Sequence, residues 1–254
     1  MGRKFENEDL EGSTFRCVNL HQATFEDVNL GGAKISNANL AGVSIDNANL
    51  LGMTIFGIRI DHLIDAELDR RDPERAKLRM KDVHSPEEVR RVIDQLDEVR
   101  GNFRATLSSV PQDQLCKRPA EGKWSAIEHL RHLVFAEDLY INRWILRNDE
   151  PFSQLGLLPD FLVRDVAYSS VGSEPCSDPE TILAESDRIH SRTKAFVKDA
   201  TSDMLRRDTS DDDFGQGTVG GILQGMAHHD LHHIRQAAAA IASASQQALS
   251  GGAD

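Results

Sequence analysis

A large apolar residue occupies every fifth position of the first sixty without a break: Phe5, Leu10, Phe15, Leu20, Phe25, Leu30, Ile35, Leu40, Ile45, Leu50, Ile55 and Ile60. Two residues earlier the side chain is usually small or medium, as at Ser13, Val18, Ala23, Val28, Ala33, Ala38, Val43 and Ala48. Helix and strand faces recur at about 3.6 and 2 residues, so neither produces a period of five. A coil that turns a corner once per five residues does, and its inward side chains stack from coil to coil as in other solenoids. A ten-residue period lies on top. Leu takes the multiples of ten up to Leu50, Phe or Ile takes the positions between, and Asn19, Asn29, Asn39 and Asn49 each precede a Leu. In a four-sided coil a ten-residue step reaches the opposite side, so Leu would line one pair of sides and Phe/Ile the other.

Ala38-Asn39-Leu40 and Ala48-Asn49-Leu50 nearly reproduce the pattern A-(D/N)-L-x-x, and residues 1–60 closely resemble the pentapeptide-repeat family. The resemblance implies a short right-handed quadrilateral β-helix of about three coils. Some members of that family mimic DNA and bind gyrase through long acidic rods. This segment is short and nearly neutral, with five Lys/Arg against seven Asp/Glu. Gyrase binding is therefore the weakest functional reading, and a stacking or docking module the stronger one.

Residues 61–83 lose the rhythm and read as a helical cap and linker, helical at least to Arg71, because the exposed last coil of a solenoid needs covering. Four helix-sized segments follow within an all-α unit over 84–248, at about 86–108, 126–147, 179–205 and 219–247. Ser85-Pro86-Glu87-Glu88 and Ser125-Ala126-Ile127-Glu128 are capping boxes, and Asp178-Pro179 opens the third segment. The connection over 148–177 carries Pro151, Pro159 and Pro175. Crossovers of that kind occur in four-helix bundles, whose cores host metal sites on facing helices. Residues 249–254 are expected to be a disordered tail.

The net charge is −12, and residues 61–254 hold 24 Lys/Arg against 34 Asp/Glu, which argues against nucleic-acid binding. No run approaches membrane-spanning length, and the charged start lacks the apolar core of a signal peptide. Cys17, Cys116 and Cys176 are odd in number and lack metal-ligand spacing, so free thiols in the cytoplasm are expected. A homodimer is the expected assembly.

The chemistry concentrates in His228-His229-Asp230-Leu231-His232-His233, with His129 and His132 on the second helix. Residues four apart share a helical face, so two pairs could chelate an ion, 228/232 and 229/233. Helical phase separates them. At about 100° per residue, with Ile222 at zero, the apolar stripe spans roughly 0 to 100°. His229 and His233 fall near roughly −20° and +20°, whereas His228 and His232 fall near roughly −120° and −80°. The 229/233 pair therefore points inward and 228/232 faces solvent. Burying two imidazoles without partners is costly, which favours a metal over two core histidines. On the second helix His132 lies opposite the main stripe, with Phe135 and Leu139, and periodicity does not select it; His129 reads as surface.

Residues 118–158, with Trp124-Ser125, His129-Leu130-Arg131-His132-Leu133 and Glu137, are similar to the DinB superfamily. His229-Asp230-Leu231-His232-His233-Ile234-Arg235-Gln236 matches its H-x-x-H-H-x-x-Q pattern, and the likeness covers about 84–245. It implies a DinB-like four-helix bundle with the metal ligands His132, His229 and His233. The H-L-x-H spacing on the second helix is also similar to that of ergothioneine-pathway sulfoxide synthases, where the second histidine is the ligand. Glu128, four residues before His132, is a candidate fourth ligand or a contact behind the ligands, and Glu137 and Gln236 are candidates for contact behind them. Glu128, closing a capping box, is more readily occupied with backbone, and Glu137 could orient a ligand or pair with an arginine such as Arg100.

Three histidines with an open position are the pattern of catalytic zinc, and all-imidazole sites also suit nickel, iron or copper. A bound divalent cation lowers the pKa of coordinated water and deprotonates a coordinated thiol. The superfamily resemblance implies a metal-dependent S-transferase or related detoxifying enzyme using a low-molecular-weight thiol such as bacillithiol or mycothiol, with a small-molecule electrophile as substrate. The competing expectation is a non-enzymatic, stress-related metal-binding protein whose repeat module docks a partner.

Overall fold

The computed structural model describes residues 3–6, 8–26, 28–46, 48, 50–159, 162–163, 168–172, 178–209 and 217–250 of the 254-residue chain, the last four of these as backbone only.

In the repeat segment the backbone expresses the ten-residue period. The Leu10 carbonyl accepts from the Ser13 N–H at 3.0 Å, and the same turn closes at Leu20–Ala23, Leu30–Ala33, Leu40–Val43 and Leu50–Met53. The residue before each Leu pins the turn. Asp9, Asn19, Asn29 and Asn39 accept from the N–H two positions on, at 2.9–3.1 Å. The third turn position lies at positive φ, +71° at Gly12, +72° at Gly32, +78° at Gly42 and +75° at Gly52. Glycine adopts that conformation without steric cost. Gln22 makes the same turn at φ +62°. Asn-Leu-x-Gly is thus a turn code, which explains why Asn tracks Leu rather than Phe or Ile.

The stacking expected of a β-helix is not seen among the described residues. Phe25 is 59 % exposed and Ile35 68 % exposed. The strands present are β1 (Thr54–Ile55) and β2 (Ile58–Arg59), an antiparallel pair around Phe56-Gly57. The physical reason is visible in the bonding. Among the described residues of 9–46 the hydrogen bonds close within a turn or between near neighbours, and none ties one coil to the next.

Helix α1 (Asp61–Arg71) takes over directly. The buried Asp61 carboxylate accepts from the Gly52 and His62 N–H groups at 3.0 Å and pairs with Arg59, which joins the last turn of the repeats to the helix. Asp72 caps α2 (Pro73–Lys77) and pairs with Arg235 far along the chain.

The remaining helices are α3 (Pro86–Leu107), α4 (Gln112–Leu115), α5 (Ala126–Glu137), α6 (Pro179–Asp199), α7 (Ser202–Arg206) and α8 (Val219–Ser250). α5 packs on α6 and α8, and α3 packs on the same two. The Ser125–Glu128 box closes in both directions. At Ser85 only half of the predicted box forms, because the Glu88 carboxylate turns to the Lys81 N–H and Arg91. The second segment loosens into π-helical turns over Asp138–Ile145. The third breaks at Ala200, whose extended backbone separates α6 from α7. The fourth runs to Ser250, beyond the expected end, and tail residues 251–254 lie outside the described residues.

Every side chain of α5 is buried. Its outer face is covered by the connection after Ile145. The buried Arg131 guanidinium donates to the carbonyls of Leu155, Gly156 and Gly172, and Leu157 N–H donates to the Arg131 carbonyl at 3.1 Å. Gly172 sits where a Cβ would meet the Gln154 carbonyl oxygen at 2.3 Å, so the covering strap can lie flat only with glycine there. Cys17 is free and exposed, whereas Cys116 is disulfide-bonded, contrary to the expected free thiol; Cys176 lies outside the described residues. No described helix is long and apolar enough to cross a membrane.

Candidate metal centre

α8 carries His229 and His233 one turn apart, and α5, packed against it, carries His132. One ring nitrogen from each lies within 4.8 Å of the others. The Nε2 atoms of His132 and His229 are 3.3 Å apart. Two Zn–N bonds of about 2.05 Å meeting at a tetrahedral angle hold their nitrogens about 3.3 Å apart, so this separation is the one an ion needs. The His132 Nδ1 faces the Leu157 carbonyl at 3.2 Å, which places its proton there and leaves Nε2 with a free lone pair. The three-histidine group could hold a metal ion.

The electrostatics agree. Burial pushes the His132 pKa down to about 4, and burial together with neighbouring histidines lowers those of His229 and His233 well below the ordinary value. All three imidazoles are therefore uncharged at neutral pH, the form that binds metals. Two described carboxylates near the triad, Glu137 and Asp230, are engaged by Arg100, although the buried Oδ1 of Asp230 has no partner. Glu137 accepts from Arg100 at 2.7 Å, from Thr193 Oγ1 at 2.5 Å, and lies 2.6 Å from His190 Nδ1. Asp230, next to His229, is held by the same Arg100. Glu137 thus pairs with the arginine named from the sequence rather than with a ligand.

Two sequence candidates do not reach the triad. The Glu128 carboxylate is bound by the Ser125 N–H and hydroxyl at 2.8 Å and by Arg118, completing the capping box. Gln236 is exposed on α8. The outward pair also differs from expectation. His228 is partly buried against Gln224, 3.2 Å away, and burial lowers its pKa to about 4.

Three participants escaped the sequence reading. His129, read as surface, is buried, and its Nδ1 lies 3.0 Å from Nδ1 of His233. Trp124 stands against the triad, with ring centroids 4.9 Å from His132 and 6.1 Å from His233. Tyr140 meets the His229 ring edge-on at 5.8 Å, and burial pushes its hydroxyl pKa up to about 12. The His129–His132 spacing and the position of Trp124 just before the cap were the available signals, since they bracket the first turns of α5.

Searches of curated proteins and of solved structures give no match to this chain. A family model for pentapeptide repeats matches residues 2–32 and 23–57, with 8 copies, and one for the DinB superfamily matches residues 95–237. More than half of the chain lies within the second match, which spans α5, α6 and the histidines of α8: the chain belongs to the DinB superfamily and carries pentapeptide repeats at its N-terminus.

Proposed function

We propose that His132, His229 and His233 bind one divalent metal ion, zinc, nickel or iron, and that the site works as a metal-dependent S-transferase using a low-molecular-weight thiol. The observation that carries this reading is the convergence of three uncharged imidazoles, one ring nitrogen from each lying within 4.8 Å of the others. A bound divalent ion would supply the Lewis acidity that deprotonates a coordinated thiol. The chain's own residues would do the rest. Leu157 fixes the tautomer of His132, and Arg100 draws Glu137 and Asp230 away from the open position. Trp124 and Tyr140 present apolar rings beside the triad for the electrophile. In the transfer, the thiolate sulfur would form a bond to the electrophilic carbon while the leaving group departs with its electron pair, and the thiol proton passes to solvent. Thiol consumption, followed with a bimane electrophile across bacillithiol, mycothiol and glutathione, tests this. Turnover that disappears in His229→Ala is expected, and metal-loaded protein inert to the whole panel would contradict it.

A four-helix bundle of α3, α5, α6 and α8 would hold the triad in its interior. Closing the repeats into a quadrilateral β-helix would cover apolar side chains that now stand in solvent.

Those exposed side chains also support a second reading, in which the metal is structural and the repeat segment docks a partner. Their regular spacing from Phe5 to Ile45 would offer a continuous apolar surface. Retention of a partner by the full chain, lost when Phe15 and Phe25 are changed to Ser without loss of bound metal, would favour it.

A further inference from the structure

We infer that His129 is a positioning residue for the metal centre: its Nδ1 accepts a hydrogen bond from the Nδ1–H of His233 and so aims the Nε2 of His233 at the ion. The inference rests on the metal-binding reading above. His129 and His233 face each other nitrogen to nitrogen at 3.0 Å, from α5 and α8. That is an ordinary N–H hydrogen-bond distance, and it requires one proton between the two nitrogens. With Nδ1 of His233 engaged, Nε2 is its remaining ligand atom.

The direction of the bond follows from what each ring must do. A metal-ligating histidine carries a proton on its other nitrogen and donates it to a fixed acceptor, which sets both tautomer and ring orientation. His132 meets that requirement through the Leu157 carbonyl. No carboxylate or carbonyl does so for His233 among the contacts of the described residues, and the His129 imidazole stands in that place. His129 is itself held. It is buried on the first turns of α5, its backbone N–H donates to the Ser125 carbonyl at 3.1 Å, and Trp124 packs edge-on against its ring at 5.4 Å. An imidazole acceptor is neutral where the usual carboxylate is negative. Neither His132 nor His233 is oriented by a carboxylate, and three neutral ligands leave the full charge of a divalent ion to the open position, which would favour an anionic occupant such as a thiolate.

The test is zinc affinity, measured by chelator competition on the full chain for wild type, His129→Leu and His129→Asn, with the melting temperature of each metal-free protein recorded in parallel. Leu fills the site without an acceptor, whereas Asn places an amide oxygen near the position of Nδ1. A loss of about 10–100-fold in His129→Leu, largely restored in His129→Asn, is expected. In wild type, long-range ¹H–¹⁵N spectra should show His233 protonated at Nδ1 and zinc-bound at Nε2. Equal zinc affinity in wild type and His129→Leu, or a lowered melting temperature with affinity unchanged, would overturn the positioning role and leave the triad intact. Should His129→Leu fail to fold, the wild-type spectrum decides, and His233 protonated at Nε2 overturns the inference. A wild type that binds no zinc would overturn the metal-binding reading as well.

Discussion

The Nε2 atoms of His132 and His229 stand 3.3 Å apart although 97 residues separate them in the chain. Two helices must cross at one height and one rotation for this to occur. Arg100 of α3 fixes part of that geometry by gripping Glu137, five residues after His132, and Asp230, next to His229.

Arg100→Met should therefore be among the most damaging single changes outside the triad. It leaves the Glu137 and Asp230 carboxylates buried together without their cation. Urea unfolding of the metal-free protein should show a loss of about 3–5 kcal/mol. A loss below about 1 kcal/mol would mean that the cluster is dispensable.

Two glycines of α8 should respond oppositely to alanine. At Gly220 a Cβ would lie 1.9 Å from the Val83 carbonyl oxygen, so Gly220→Ala must push the start of α8 off the linker. At Gly225 a Cβ meets nothing within 4 Å. Thermal unfolding should show Gly225→Ala stabilised by about 0.5–1 kcal/mol and Gly220→Ala destabilised by about 1–3 kcal/mol. The same sign for both would contradict the close approach.

Asp72 joins the linker to α8 through Arg235, whose hydrogen bonds are the main reason that the Asp72 pKa falls to about 2. A depressed folded value stabilises above the unfolded value, near 3.8, and that contribution disappears as pH falls through about 2. Asp72→Asn should therefore reduce the slope of stability against pH between those limits, with a small effect at neutral pH because the pair is partly exposed. Acid titration followed by circular dichroism checks this, and an unchanged slope would show the pair to be inert.

Trp124 would report metal binding at the proposed site. Its ring lies within contact of two triad imidazoles, whereas Trp144 packs against Tyr140 in the core. Nickel or copper should quench tryptophan emission in Trp144→Phe and leave Trp124→Phe nearly unaffected. The reverse pattern would place the ion elsewhere.

The inward pair of α8 was legible because that helix has one apolar stripe, and a residue's angle to it is meaningful. His132 was not legible from phase, since α5 is buried on every side and has no outside to measure from. His129 was misplaced for the same reason. The ten-residue rhythm was readable as a pattern, whereas the turn made by Asn, Leu and Gly that accompanies it was not. Arg131, a charged residue at the centre of α5, gave no sign from sequence that the carbonyls of a distant strap would satisfy it. Neither the break at Ala200 nor the π-helical turns after Glu137 are marked by a glycine or proline, since Pro179 at the first helical position is the one such residue in those segments.

The most direct test is elemental analysis of the purified full chain beside His132→Ala and His229→Ala, each confirmed as folded. The account predicts about one equivalent of a divalent metal in wild type and little in either variant. Metal-free wild type after incubation with zinc, nickel or iron, or equal metal in all three proteins, would contradict it.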